Sequence, residues 1–180
     1  MNDYFRPIPC PSGRWPLAGG WLRFSQLELL RRDAAPRIVD HAPEAVLAAL
    51  TAPRAPLLGL SMDGPRVMGI VNATPDSFSD GGQHFDAASA LRHCERLIRE
   101  GADILDIGGE STRPGSPAVG LEEELARVLP VVRDAVSLGV PVSVDTYKPQ
   151  VMRAVLDLGA DVINDIWALR QPGALAVVAA

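Results

Sequence analysis

Several common signatures are missing from this chain. Only two of its 180 residues are cysteine, Cys10 and Cys94, and they lie far apart. Two thiols build neither a disulfide framework nor a metal knuckle, so reduced cysteines and a cytoplasmic protein are expected. No run approaches the ~20 apolar residues of a membrane span. The opening stretch "MNDYFRPIPCPSGRWP" is too polar and proline-rich for a secretory signal. Clustered positive charge is also scarce: 17 Lys and Arg face 22 Asp and Glu, for a net charge of −5, and the only tight basic pair is Arg31-Arg32. A general nucleic-acid surface is thereby excluded, whereas an anionic small molecule, which needs only a few donors, is not. No glycine fingerprint of a dinucleotide fold follows the first apolar strand, and no GK[ST] phosphate loop occurs. What remains is 47% hydrophobic and 22% charged, the profile of a soluble globular protein with one sizeable core.

The first 65 residues differ in character from the rest. Residues 1–20 hold Pro7, Pro9, Pro11, Pro16, Gly13, Gly19 and Gly20 and read as irregular structure. "PEAVLAAL" (43–50) predicts a short helix started by Pro43. "LLGLSMDGPRVMGIV" predicts a hairpin turning at Asp63-Gly64, and Trp15 and Trp21 read as packing anchors. Residues 1–65 are therefore an N-terminal extension with a hairpin, and residues 66–180 form the main body.

From Val67 the pattern is regular. "VMGIVN", "DILDIGG", "VPVSVD" and "ADVIND" are apolar strand-like runs. Between them, "DAASALRHCERLIREG" sets Ala90, Leu91, Cys94, Leu97 and Ile98 at helical spacing, and "LEEELARVLPVVRDAVSLG" and "KPQVMRAVLDLG" follow as further helices. "PGALAVVAA" opens a fourth helix. Alternating β and α units with nearly all-apolar strands mean an α/β fold with a parallel sheet covered by helices, either an open doubly wound sheet or a (β/α)8 TIM-type barrel.

Each of the four strands ends in a polar residue: Asn72, Asp106, Asp145, and Asn164 followed by Asp165. In a parallel barrel these ends share the face on which active sites are built. Helix capping accounts for one such residue more readily than for four. Asp145 reads either as a cap for the helix at Pro149 or as a buried carboxylate accepting from a ring N–H or amino group. Asn164 can donate and accept at once, as the edge of a heterocycle requires, and otherwise is a turn residue. Asn72 offers a neutral carbonyl oxygen suited to Mg2+, whose other positions go to water and phosphate. The loop "GGESTRPGSP" carries Ser111, Thr112 and Arg113, a set of anion donors or else an exposed turn. His41, His84 and His93 have no metal-binding spacing and are given no role.

Five segments, "MGIVNATPDSFSDGG" (68–82), "GADILDIGGESTRPGS" (101–116), "EEELARVLPVV" (122–132), "VSVDTYKPQV" (142–151) and "GADVINDI" (159–166), resemble the dihydropteroate synthase family, in the same order. The resemblance implies a (β/α)8 barrel that joins a (7,8-dihydropterin-6-yl)methyl diphosphate to 4-aminobenzoate, releasing diphosphate with Mg2+ assistance. It implies that Asn72 binds the metal, that Thr112 and Arg113 meet the diphosphate and the aminobenzoate, and that Asp145 and Asn164 bind the pterin. Asp145 would also stabilise the cationic pterin methylene left by diphosphate. The long turn-forming stretch after Asn72 would be a substrate lid, and the full-length family member a homodimer.

A barrel of this type needs about 250 residues, and only about four of eight βα units can be read here. The expectation is a fragment of a longer synthase, unstable and inactive alone. Two alternatives share parts of the pattern. One is a methyltetrahydrofolate-binding methyltransferase barrel, against which the segments "TPDSFSDGG" and "STRPGS" argue. The other is a non-catalytic half-barrel binding module.

Overall fold

The computed structural model describes residues 3–74, 87–111 and 118–180. The chain divides into two compact units, Met1–Pro65 and Arg66–Ala180.

The first unit is a four-stranded antiparallel sheet, where irregular structure was expected. The long strand β3 (Arg23–Arg31) pairs with β1 (Tyr4–Cys10), with the short β2 (Trp15–Pro16) and with β4 (Ala34–Val39). Pro7 and Pro9 do not prevent β1 from forming because β1 lies at the sheet edge, where a missing N–H costs no ladder bond and blocks further pairing. A bulge in the β1–β3 pairing near Pro9 lets Phe24 share the buried side with Leu27 and Leu29. Gly13 is required beside Phe24, since a Cβ there would lie 2.3 Å from the Phe24 backbone nitrogen. Trp15 packs on Phe24 at 5.6 Å between ring centroids, as an anchor should. Trp21 does not anchor anything: it is 74% exposed. Helix α1 (Glu44–Thr51) follows Pro43.

The expected hairpin at Asp63-Gly64 does not form. The tight turn is instead at Leu58-Gly59, closed by Leu57 and Leu60. Pro65 lacks the N–H a returning strand would need. Val67 is also committed elsewhere: its carbonyl accepts from the N–H groups of Asp103 and Ile104, and its N–H donates to the Asp103 carboxylate at 2.8 Å.

The second unit is a parallel sheet in sequential order, β5 (Met68–Asn72), β6 (Ile104–Gly108), β7 (Val142–Asp145) and β8 (Val162–Asn164). The helices are α2 (Ala87–Arg99), α3 (Leu121–Ala135), α4 (Pro149–Asp157) and α5 (Ala174–Val178). Pro149 opens α4 at its first turn, where its missing N–H has no partner to lose. Gly101 (φ 105°) and Gly159 (φ 99°) stop α2 and α4 in the left-handed conformation.

Side chains alternate across a strand, so each strand has one face for the helices. Val71, Leu105, Ile107, Val142 and Val144 meet Ala90 and Cys94 of α2, Val128, Val131, Val132 and Ala135 of α3, and Val151 and Val155 of α4 in one core. These three helices therefore cover the same face, as in a barrel wall and unlike a doubly wound sheet. The opposite face carries Met68, Ile70, Asn72, Asp106, Ser143, Asp145 and Asn164. Burial pushes the Cys94 thiol up to about 11, which keeps it inert. No helix among the described residues is long and apolar enough to cross a membrane.

The face assignment has a direct test by urea unfolding. Ile107→Ala, at a fully buried position, should lose about 2–5 kcal/mol of stability, whereas Ile70→Ala, 51% exposed on the neighbouring strand, should lose far less. Equal losses would contradict it.

Candidate functional site

Parallel pairing sets Asn72 beside Gly108, Gly108 beside Asp145, and Asp145 beside Asn164. Three of the four polar strand ends thus form one row, and Gly108 puts no side chain between Asn72 and Asp145. Asp106 was expected at a strand end as well, but β6 continues to Gly108. Asp106 is consequently one layer deeper on the same face, paired with Ile70 and Ser143 and only 4% exposed.

Asn164 donates through Nδ2 to Asp106 Oδ2 at 3.0 Å, which leaves its own carbonyl oxygen as an acceptor. Asp106 Oδ1, Ser143 Oγ and Asp145 Oδ1 are buried without a hydrogen-bond partner. Native proteins rarely leave such atoms unpaired, because each one costs free energy. The Asp145 carboxyl is pushed up to about 6, first by burial and then by the negative charges of Asp106, Glu124, Asp165 and Glu110. The arrangement is one of acceptors waiting for donors. A flat heterocycle bearing ring N–H and amino groups would supply them.

Capping does not explain Asp145. Helix α4 has no side-chain cap at its start, and the N–H of Lys148 goes to Thr146 Oγ1 at 3.2 Å. A local turn accounts for Asp165, whose two carboxylate oxygens accept from the N–H groups of Trp167 and Leu169, each at 2.8 Å. That closes a turn in which Ala168 and Leu169 both have positive φ.

Around this row lies a charged cluster that sequence reasoning missed. The Lys148 ammonium bridges Glu110, just past β6, and Glu124, in the first turns of α3 and 1% exposed. Thr146 donates to Glu124 Oε1 at 2.6 Å, and Tyr147 donates to Glu110 Oε1 at 3.1 Å. Tyr147 also stacks on Trp167, with ring centroids 4.9 Å apart. Lys148 is held well above the usual lysine range: burial pulls it down, and the two carboxylates outweigh that. Gly109 allows the approach of α3, because a Cβ there would lie 2.6 Å from Val128 Cγ2. In the sequence, the acids of "LEEE" suggest only helix-dipole partners, and nothing there pairs Glu124 with Lys148.

The structure thus brings together Asn72, Asp145 and Asn164. Thr112 and Arg113, the expected diphosphate contacts, lie outside the described residues, as does most of the expected lid (75–86). For magnesium, Asn72, exposed at the end of its strand, has an amide oxygen of the kind that suits a hard cation with mostly water and phosphate ligands. No group of three His, Cys, Asp or Glu among the described residues forms a metal cage.

A family model described as pterin binding enzyme matches residues 68–180. A dihydropteroate synthase of Neisseria meningitidis serogroup C is 53% identical over 122 residues, 67% of this chain and 43% of that protein. Among solved structures, a Xanthomonas albilineans dihydropteroate synthase with 4-aminobenzoic acid is 62% identical with a TM-score of 0.63, covering 68% of this chain and 46% of that one. A Burkholderia cenocepacia dihydropteroate synthase complexed with 7,8-dihydropteroate is 59% identical with a TM-score of 0.59, covering 66% and 39%. The chain therefore spans less than half the length of these relatives.

Burial of Asp145 has a pH signature. An ordinary carboxyl near 3.8 that rises to about 6 on folding binds its proton more tightly in the native state. Its contribution to stability is present below about pH 4 and is lost as pH rises through about 6. In denaturant titrations from pH 4 to 8, wild type should lose stability relative to Asp145→Asn up to about pH 6, with a constant difference above. A difference independent of pH would contradict the assignment.

Proposed function

Because the chain belongs to the family of pterin-binding enzymes, we propose that it supplies the pterin-binding strands of a dihydropteroate synthase. The reaction joins (7,8-dihydropterin-6-yl)methyl diphosphate to 4-aminobenzoate, giving 7,8-dihydropteroate and diphosphate in folate synthesis. The observation that carries this reading is the set of unpartnered buried acceptors, Asp145 Oδ1 and Asp106 Oδ1, beside Asn164 on the face opposite the helices. Solved relatives with bound 4-aminobenzoic acid and bound 7,8-dihydropteroate support it. For the full-length form of the family we propose a cytoplasmic (β/α)8 barrel acting as a homodimer.

The roles follow from position. Ionised Asp145 accepts hydrogen bonds from the N–H and amino donors of the pterin, and Asn164 reads the same heterocycle edge with its amide. The bond from the methylene carbon to the diphosphate oxygen breaks, and the electron pair leaves with diphosphate. Positive charge then develops on the pterin methylene, where the nearby Asp145 carboxylate stabilises it. The amine nitrogen of 4-aminobenzoate forms the new C–N bond and releases a proton. An aromatic amine is nucleophilic when neutral, so no strong base is required. Thr112 and Arg113 hold the diphosphate and the aminobenzoate. Asn72 would hold magnesium through its amide oxygen, and a bound ion would supply charge neutralisation for diphosphate.

Binding of 6-hydroxymethyl-7,8-dihydropterin to this chain, followed by calorimetry, tests the reading. Affinity should fall about tenfold for each pH unit below the Asp145 midpoint. Asp145→Asn should weaken binding about 10- to 100-fold at pH 7.5, the loss expected for a charge-assisted hydrogen bond. Affinity unchanged from pH 5 to 8, or unchanged in the variant, would refute the role of Asp145.

The metal assignment is separable. Diphosphate should bind more tightly with magnesium than without, and Asn72→Ala should abolish that increment while leaving pterin affinity intact. An increment of the same size in the variant would remove Asn72 from the metal site.

A further inference from the structure

Each of the three residues that follow Asp145 is tied to neighbouring elements. Thr146 donates its backbone N–H to the Asn164 carbonyl at 3.0 Å and its hydroxyl to Glu124 at 2.6 Å. Tyr147 is fixed by its hydrogen bond to Glu110 and its stack on Trp167. Lys148 bridges Glu110 and Glu124, and its ammonium also lies 4.5 Å from the centroid of the Tyr147 ring. The end of β6, the first turns of α3 and the loop after β8 therefore all converge on the segment carrying Asp145. Among the described residues Lys148 is the cation paired with both acids, with a side chain 15% exposed between carboxylates that are 10% and 1% exposed.

We propose that Lys148 is a positioning residue for Asp145: by bridging Glu110 and Glu124 it fixes the Thr146–Lys148 segment and neutralises the acidic surroundings in which the Asp145 carboxylate must ionise. The inference rests on the pterin reading for its consequence, but not for its geometry. Among the described residues, the charges that raise the Asp145 carboxyl are Asp106 from β6, Glu124 from α3, Asp165 beyond β8 and Glu110 beyond β6. Without the ammonium, Glu110 and Glu124 would present two uncompensated charges to a third carboxylate. Like charges favour the protonated form, and a protonated Asp145 turns one of its acceptor oxygens into an O–H donor that opposes a ligand N–H.

The test follows the Asp145 carboxyl carbon by NMR from pH 4 to 9, together with dihydropterin affinity, in wild type and three variants. Lys148→Met should move the Asp145 midpoint upward from about 6 and weaken dihydropterin binding about tenfold or more at pH 7. Lys148→Arg, which keeps the cation, should restore both. Glu110→Gln leaves the Lys148–Glu124 pair intact and removes one negative charge, so it should move the midpoint downward. That variant keeps the test decisive if Lys148→Met fails to fold. A folded Lys148→Met with an unmoved midpoint and unchanged affinity would overturn the proposal, as would a midpoint that does not fall in Glu110→Gln. Midpoints ordered as expected, with no dihydropterin binding by any form, would overturn the pterin reading and leave the role of Lys148 standing.

Discussion

In a parallel sheet, a slip of one residue in any strand turns all of its side chains to the other face. The register that sets Asn72 beside Gly108, Gly108 beside Asp145 and Asp145 beside Asn164 is therefore the constraint on which the site depends. The same register sends Val71, Ile107 and Val144 into the helix-covered core. Burial of those side chains, at roughly 1.5–3 kcal/mol each, specifies the register strongly. The polar row has no such force of its own and is carried into line by the apolar residues that alternate with it.

That row works against stability. Asp145 and Asp106 each hold a buried oxygen without a donor, and five acidic groups, Asp106, Glu110, Glu124, Asp145 and Asp165, are concentrated around the strand ends. Such a cluster costs stability unless N–H donors reach those oxygens. The Lys148 bridge to Glu110 and Glu124 and the Thr146–Glu124 hydrogen bond limit the cost by compensating two of those acids.

Much of this was legible in the sequence. The alternation of apolar strands and amphipathic helices from Val67 onward has a strong period, and α2 falls where Ala90, Cys94, Leu97 and Ile98 placed it. The polar ends Asn72, Asp145 and Asn164 stood out because each interrupts an apolar run. The N-terminal sheet was hidden because prolines in β1 mimic an irregular segment, and only pairing with β3 shows that they sit at an edge. Asp106 was misplaced in depth: the run "DILDIGG" already carries the strand through Gly108, so Asp106 lies two residues short of its end. Lys148 and Glu124 were invisible as a pair: their contact depends on how α3 packs against the β7 loop, a long-range fact that no local pattern encodes.

The central claim is that the unpartnered acceptors on the face opposite the helices are the pterin site. A crystal structure of this chain with 6-hydroxymethyl-7,8-dihydropterin tests it most directly. The expected result is a pterin ring whose N–H or amino donors lie within about 3.2 Å of the Asp145 carboxylate, with its edge against Asn164. A ring bound elsewhere, with Asp145 Oδ1 still without a donor, would contradict it.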